Sequence, residues 1–69
     1  MSPSVDDLGR QIVARRKQLG LGQSELADLA GVSTRSIYAI EHGKATIRLD
    51  TLLAIAGTLG LSLSLATRG

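Results

Sequence analysis

The sequence predicts an all-α domain, four to five short helices packed compactly, followed by a short C-terminal β-strand that pairs across a dimer. Three observations lead there. Apolar residues recur at the three-to-four-residue spacing of helices in four separate stretches. A glycine follows each stretch, at Gly20, Gly31, Gly43 and Gly60, where a left-handed residue ends a helix. At Leu61 the period shifts to two, since Leu61, Leu63 and Leu65 alternate with Ser62 and Ser64 as in a half-buried strand.

Each element has its own signal. Ser4 caps a first helix whose opening turn carries Asp6 and Asp7, acids suited to the positive end of the helix dipole. Leu8, Ile12 and Leu19 form its apolar side, and Gly20-Leu21-Gly22 is a turn. A second helix runs from Gln23 to Ala30 with Leu26, Ala27 and Ala30 on one face, and Gly31 takes the left-handed conformation that stops it. Ser33 or Thr34 caps a third, which runs to about His42 with Ile37 and Ile40 inward. Lys44 to Ile47 is a loop. A fourth spans roughly Arg48 to Leu59, carrying Leu49, Leu52, Leu53, Ala56 and Leu59, although Gly57 inside it costs on the order of 1 kcal/mol against Ala.

The alternating segment 61–65 decides the assembly. A lone strand leaves unpaired backbone groups and an exposed leucine face, and pairing with the same strand of a second copy satisfies both. The expectation is a two-fold dimer through Leu61, Leu63 and Leu65; the alternative is a fifth helix packed on its own domain.

Size and composition narrow the function. At 69 residues the chain is one domain, expected to bury only about 60% of its unfolded surface. It has no Cys, which excludes disulfides, thiolate metal clusters and thiol catalysis and fits a reducing cytosol. No apolar run approaches the roughly 18 to 20 residues that span a bilayer, and MSPSVDD lacks the features of a signal peptide, so a cytoplasmic, nucleoid-associated protein with no membrane partner is expected. Eight Lys and Arg against six Asp and Glu give a net charge of +2. That excess is compatible with a polyanionic partner. One His at a helix end, no phosphate-cradling glycine loop and no carboxylate pair at useful spacing argue against an enzyme, a metal site or a cofactor.

Two short helices joined by Gly31-Val32-Ser33 form a helix-turn-helix unit over residues 23–42. Its offsets are demanding. Ala27 is small where the helices cross, Gly31 permits the left-handed turn, and Val32, Ile37 and Ile40 fill the wedge between them. With these residues in place, the stretch QSELADLAGVSTRSIYAIEHGK resembles the lambda-repressor and Cro family of helix-turn-helix regulators, often called XRE-like, over residues 8–60.

In that family the third helix enters the major groove of double-stranded DNA and the second lies across it. The resemblance therefore implies a recognition role for Ser33, Thr34, Arg35, Tyr38 and Ala39, and phosphate contacts from Gln23, Ser36 and the loop after Gly43, where Lys44 and Thr46 offer donors. Arg35 either donates two hydrogen bonds to guanine O6 and N7 or clamps a phosphate. Thr34 meets a thymine methyl or a phosphate. Tyr38, the sole aromatic, touches DNA or covers the domain edge, and His42 reads as a C-terminal cap. Family members with Arg and Glu at the positions of Arg16 and Glu41 use the pair to tie the first helix to the third, so these two are structural. Arg10, Arg15 and Lys17 read as a solvated face.

The C-terminal alternation is similar to HipB-type antitoxins, whose paired strands form a small sheet across the dimer and which restrain a HipA-type kinase toxin. A departure from that subfamily is expected after the strand, where its longer tail has no counterpart in residues 66–69. The expected function is a homodimeric, sequence-specific repressor on a palindromic operator, autoregulating as a HipB-like antitoxin. The alternative is a free-standing regulator of the same family with no toxin partner.

Overall fold

The computed structural model describes residues 4–44, 46–65 and 67. Four helices follow one another: α1 (Val5–Gln18), α2 (Gln23–Ala30), α3 (Thr34–Glu41) and α4 (Leu49–Thr58). The ends of α2 fall where the sequence puts them. At the start of α1, the Asp7 amide donates to the Ser4 hydroxyl across 3.1 Å and the Ser4 amide donates back to the Asp7 carboxylate across 3.3 Å. The bond from Arg10 and those at Ser4 hold the exposed Asp7 carboxyl below its ordinary range. Ser33, not Thr34, caps α3, accepting from the Ser36 amide at 3.1 Å.

All four helices stop by the same device. Each is followed by a glycine with φ near +70°, Gly20, Gly31, Gly43 and Gly60. The next residue's amide reaches back to a carbonyl five residues earlier: Leu21 to Arg16, Val32 to Ala27, Lys44 to Ala39 and Leu61 to Ala56, at 2.8 to 3.0 Å. Leu21, Val32 and Leu61 then pack on the core, completing the stop with an apolar contact, whereas Lys44 turns to solvent.

The core is Ile12, Leu26, Ala27, Ile37, Ile40, Leu52, Ile55 and Leu59. Every helix supplies at least one of them, so no helix buries its apolar side without the other three. α1 and α3 approach at Gly9, where an added Cβ would collide with the Ile40 carbonyl oxygen. Glycine at this position, in mid-helix, is a packing requirement.

Two arginines of α1 complete the frame. Arg16 lies against Glu41, its Nε 2.6 Å from Oε2 and its Nη2 3.1 Å from Oε1, while Nη1 donates to the Leu21 carbonyl at 2.9 Å. Both side chains are nearly buried, Arg16 at 11% and Glu41 at 4% exposure. Burial pushes the Glu41 carboxyl up, but the bonds from Arg16 and Gln23 outweigh it, and the net displacement is downward. Arg15 donates from Nε to the Leu59 carbonyl at 2.8 Å, neutralising the carbonyl end of α4. The expectation of a solvated face does not hold for Arg15, because its long side chain reaches a helix end that only tertiary packing brings near.

Other expectations need correction. The described residues hold four helices, within the four to five expected, but residues 61–65 form no strand among them. A strand needs a neighbouring strand to share its backbone bonds, and the described residues of this chain offer none. Leu61 packs on the core, Leu63 is 41% exposed and Leu65 is wholly exposed. Leu19, expected inward, caps α1 in solvent, and Leu49 and Leu53 stand on the outer side of α4. Helical spacing identifies the apolar residues but not which have a neighbour to cover them. Leu8, Leu49, Leu53, Leu63 and Leu65 line one shared apolar groove.

Opposite outcomes are expected at two helical glycines. Gly9→Ala lowers stability by about 1 to 3 kcal/mol because the α1 and α3 backbones must separate, while Gly57→Ala, with nothing within 4 Å of the new methyl, raises it by about 0.5 to 1 kcal/mol; urea midpoints measure both. Because the Glu41 carboxyl is held below its ordinary value of 4.5 in the folded chain, its contribution is present above that value and is lost as pH falls through the lowered one. Glu41→Gln costs about 3 kcal/mol at pH 7 and flattens this acid limb, read from urea midpoints between pH 7 and pH 3.

Candidate nucleic-acid interface

α2 and α3 are joined by the tight Gly31-Val32-Ser33 turn, with φ +71° at Gly31. No residue with a Cβ takes that conformation cheaply, and Val32 uses it to enter the wedge between the helices. α3 buries Ile37 and Ile40 and leaves a second row outward. Thr34, Tyr38 and His42 stand four residues apart on this exposed side, with Arg35 beside them.

Arg35 differs in kind from most of its counterparts. Arg10 is bonded to Asp7, Arg15 to the Leu59 carbonyl, Arg16 to Glu41 and Arg48 to Asp50. Arg35 is exposed and makes no hydrogen bond or ion pair among the described residues. Its guanidinium, in the first turn of α3 on the exposed side, keeps all five donors for a ligand. Lys44 and Thr46 are likewise exposed, in the loop that follows Gly43.

The remaining predicted residues are more constrained. Ser33 spends its hydroxyl as the α3 cap and lies 3.0 Å from the Ser36 hydroxyl, so these two serve the helix start first. Ala39 and Ser36 are half-buried. Gln23 is half-buried, and its Nε2 donates to Glu41 Oε1 at 3.0 Å. Its second N–H and its carbonyl stay free of that bond. Gln23 therefore joins the Arg16–Glu41 pair as a third member, locking the start of α2 to the end of α3. Sequence reasoning missed this tie, since nothing in the spacing of residues 23 and 41 announces it.

Tyr38 and His42 are stacked, their ring centroids 3.8 Å apart with 22° between the planes. His42 is the C-cap residue of α3, and its Nδ1 lies 2.9 Å from the Tyr38 carbonyl oxygen. The expected capping role is thus present, and the stack makes His42 part of the outer row as well. The i, i+4 spacing of the sole aromatic and the sole histidine is the signal that was available in the sequence.

The helix-turn-helix family HTH_3 matches residues 12–65. Among relatives, an HTH-type transcriptional regulator of Sinorhizobium fredii, y4mF, itself uncharacterized, is 38% identical over 63 residues, 91% of this chain and 83% of the relative. The immunity repressor protein of Bacillus phage phi105 is 39% identical over 57 residues, 83% of this chain but 40% of the repressor. Among solved structures, a chain of the HipA-HipB-O2-O3 complex superposes with a TM-score of 0.86 at 29% identity, covering 100% of this chain and 97% of that one. The HipB-O4 20mer complex gives 0.85 at 29% identity, covering 100% and 97%. With four helices in the lambda-repressor and HipB arrangement and a family match across most of its length, the chain belongs to the HTH_3 helix-turn-helix family of transcriptional regulators.

Proposed function

We propose that the protein is a homodimeric repressor that binds a palindromic operator in double-stranded DNA through α3 and regulates its own synthesis as a HipB-like antitoxin. The observation that carries the reading is the unengaged Arg35 on the exposed row of the second helix-turn-helix helix, beside Thr34 and Tyr38. In this role Arg35 reads guanine through O6 and N7, Thr34 and Ala39 supply apolar or hydroxyl contacts, and Ser33 and Tyr38 border the bases. Gln23, Ser36, Lys44 and Thr46 hold phosphates, where the backbone amides at the start of α2 add their own attraction.

Dimerisation follows from the leucines. Leu63 and Leu65 are exposed, and beyond the Leu61 amide, which Ala56 holds, the backbone groups of the alternating segment 61–65 are available to an identical segment related by a two-fold axis. Strand pairing of this kind closes the groove lined by Leu8, Leu49, Leu53, Leu63 and Leu65 with the same residues of the second copy. The two recognition helices then stand about 34 Å apart, one turn of DNA, and the half-sites are centred roughly 10 bp apart.

The antitoxin role rests on likeness to HipB along the full chain, and its partner is a HipA-type kinase toxin. The higher identity to the phage phi105 immunity repressor favours a second reading, a free-standing regulator with no toxin. A kinase gene adjacent to this one, whose product co-purifies with the protein, supports the first; its absence supports the second.

Arg35→Ala weakens binding to the selected operator by about 1 to 3 kcal/mol and relaxes preference at one base pair, leaving the melting curve in place; unchanged affinity removes Arg35 from the site. Leu63→Asp puts a charge into the leucine face and yields a monomer in sedimentation equilibrium. A dimer that survives this change sinks the strand-pairing assembly.

A further inference from the structure

The exposed row of α3 ends on a group that can change its charge at physiological pH. His42 Nδ1 lies 2.9 Å from the Tyr38 carbonyl oxygen, which also accepts the His42 backbone amide at 3.0 Å. A carbonyl oxygen only accepts, so Nδ1 carries the hydrogen. Stacking on Tyr38 fixes the ring plane. With the tautomer and the plane both set, Nε2 is the variable atom, and it makes no hydrogen bond among the described residues. Neutral His42 presents a lone pair at Nε2, which repels a phosphate oxygen. Protonated His42 presents an N–H and a positive charge.

We propose that His42 is a further phosphate-binding residue of the DNA surface, engaging a backbone oxygen through Nε2–H only in its protonated form. The proposal rests on the DNA-binding reading above. His42 lies between Tyr38 and Lys44, in line with the residues that face the duplex in that reading. The charged groups around it are Glu41, next to it on α3 and already paired with Arg16 of α1, Asp6 of α1, whose carboxylate lies against Gly43, and Lys44 in the loop. α2 reaches this end of α3 through the neutral amide of Gln23. Imidazole is the side chain whose charge ordinarily changes between about pH 5 and pH 8, and the chain has one histidine. The Asp7 and Glu41 carboxyls are held low and stay ionised across that range.

The test uses the full chain and a 20-base-pair duplex selected from a randomised pool for tight binding at pH 7.5. Dissociation constants are measured from 50 to 200 mM KCl at pH 5.5 and pH 7.5. At pH 5.5 binding tightens, and the slope of log affinity against log salt steepens by about 0.9 for each His42 that meets a phosphate. Per subunit this is an extra loss of about 3.5-fold across that fourfold salt range. His42→Gln removes the difference between the two pH values, and His42→Lys holds the steep slope at both; circular dichroism melts establish that each variant is folded. An unchanged wild-type slope, or a difference that persists in His42→Gln, overturns the proposal. Absence of binding by wild type at either pH overturns the DNA-binding reading itself, and the two failures are thereby distinct.

Discussion

The geometry of this small domain depends on the Arg16–Glu41 pair. Its strength comes from completeness. Both Glu41 oxygens are occupied, one by Arg16 Nε and the other by Arg16 Nη2 and Gln23 Nε2, and the remaining guanidinium edge donates to the Leu21 carbonyl. A nearly buried ion pair left half satisfied would destabilise the fold; fully bonded, it becomes a directional joint. The joint holds together the last turn of α1, the turn after it, the start of α2 and the end of α3. Apolar contacts among Ile12, Leu26, Ile37 and Ile40 supply the cohesion, but they would tolerate a helix sliding or tilting. The ion pair does not, and the angle at which α3 is presented follows from it.

A second constraint acts on the backbone. At Gly9 the first and third helices approach so closely that a methyl group does not fit. Together with the hydrogen bonds around Glu41, this leaves α3 little freedom to move relative to α1. The exposed row of Thr34, Arg35, Tyr38 and His42 is thus displayed on a rigid support, which suits recognition of a surface as regular as a DNA groove.

Much of the fold was legible because its signals are local. Ser4, the glycines that end each helix and the apolar spacing are all properties of a few neighbouring residues, and the helices lie within a residue or two of where those signals put them. The Arg16–Glu41 pair was legible only through resemblance to a family, since 25 residues separate its members. Gln23 as its third member, Arg15 at the end of α4 and the closeness at Gly9 were not legible, because each depends on distances that arise only when helices pack. The leucines mark a further limit. Spacing places Leu49, Leu53, Leu63 and Leu65 on apolar stripes, yet all four are exposed in the folded chain, because packing and not spacing decides which stripe finds a neighbour to cover it. In the candidate site, hydrogen bonding separates Arg35, Lys44 and Thr46, exposed and unengaged among the described residues, from Ser33, Ser36 and Gln23, whose polar atoms already serve the fold.

The four helix stops separate two kinds of information along the chain. After Gly20, Gly31 and Gly60 comes an apolar residue that plugs into the core, whereas after Gly43 comes Lys44, which belongs to the surface. The third helix is consequently terminated by its own backbone and needs nothing from the side chains that follow it. Thr34, Arg35, Tyr38 and His42 contribute nothing to the buried cluster either. Mutation can therefore rewrite the outward text of α3 and its loop while the scaffold stays the same. A lineage built on this chain can drift from one regulatory target to another through folded intermediates.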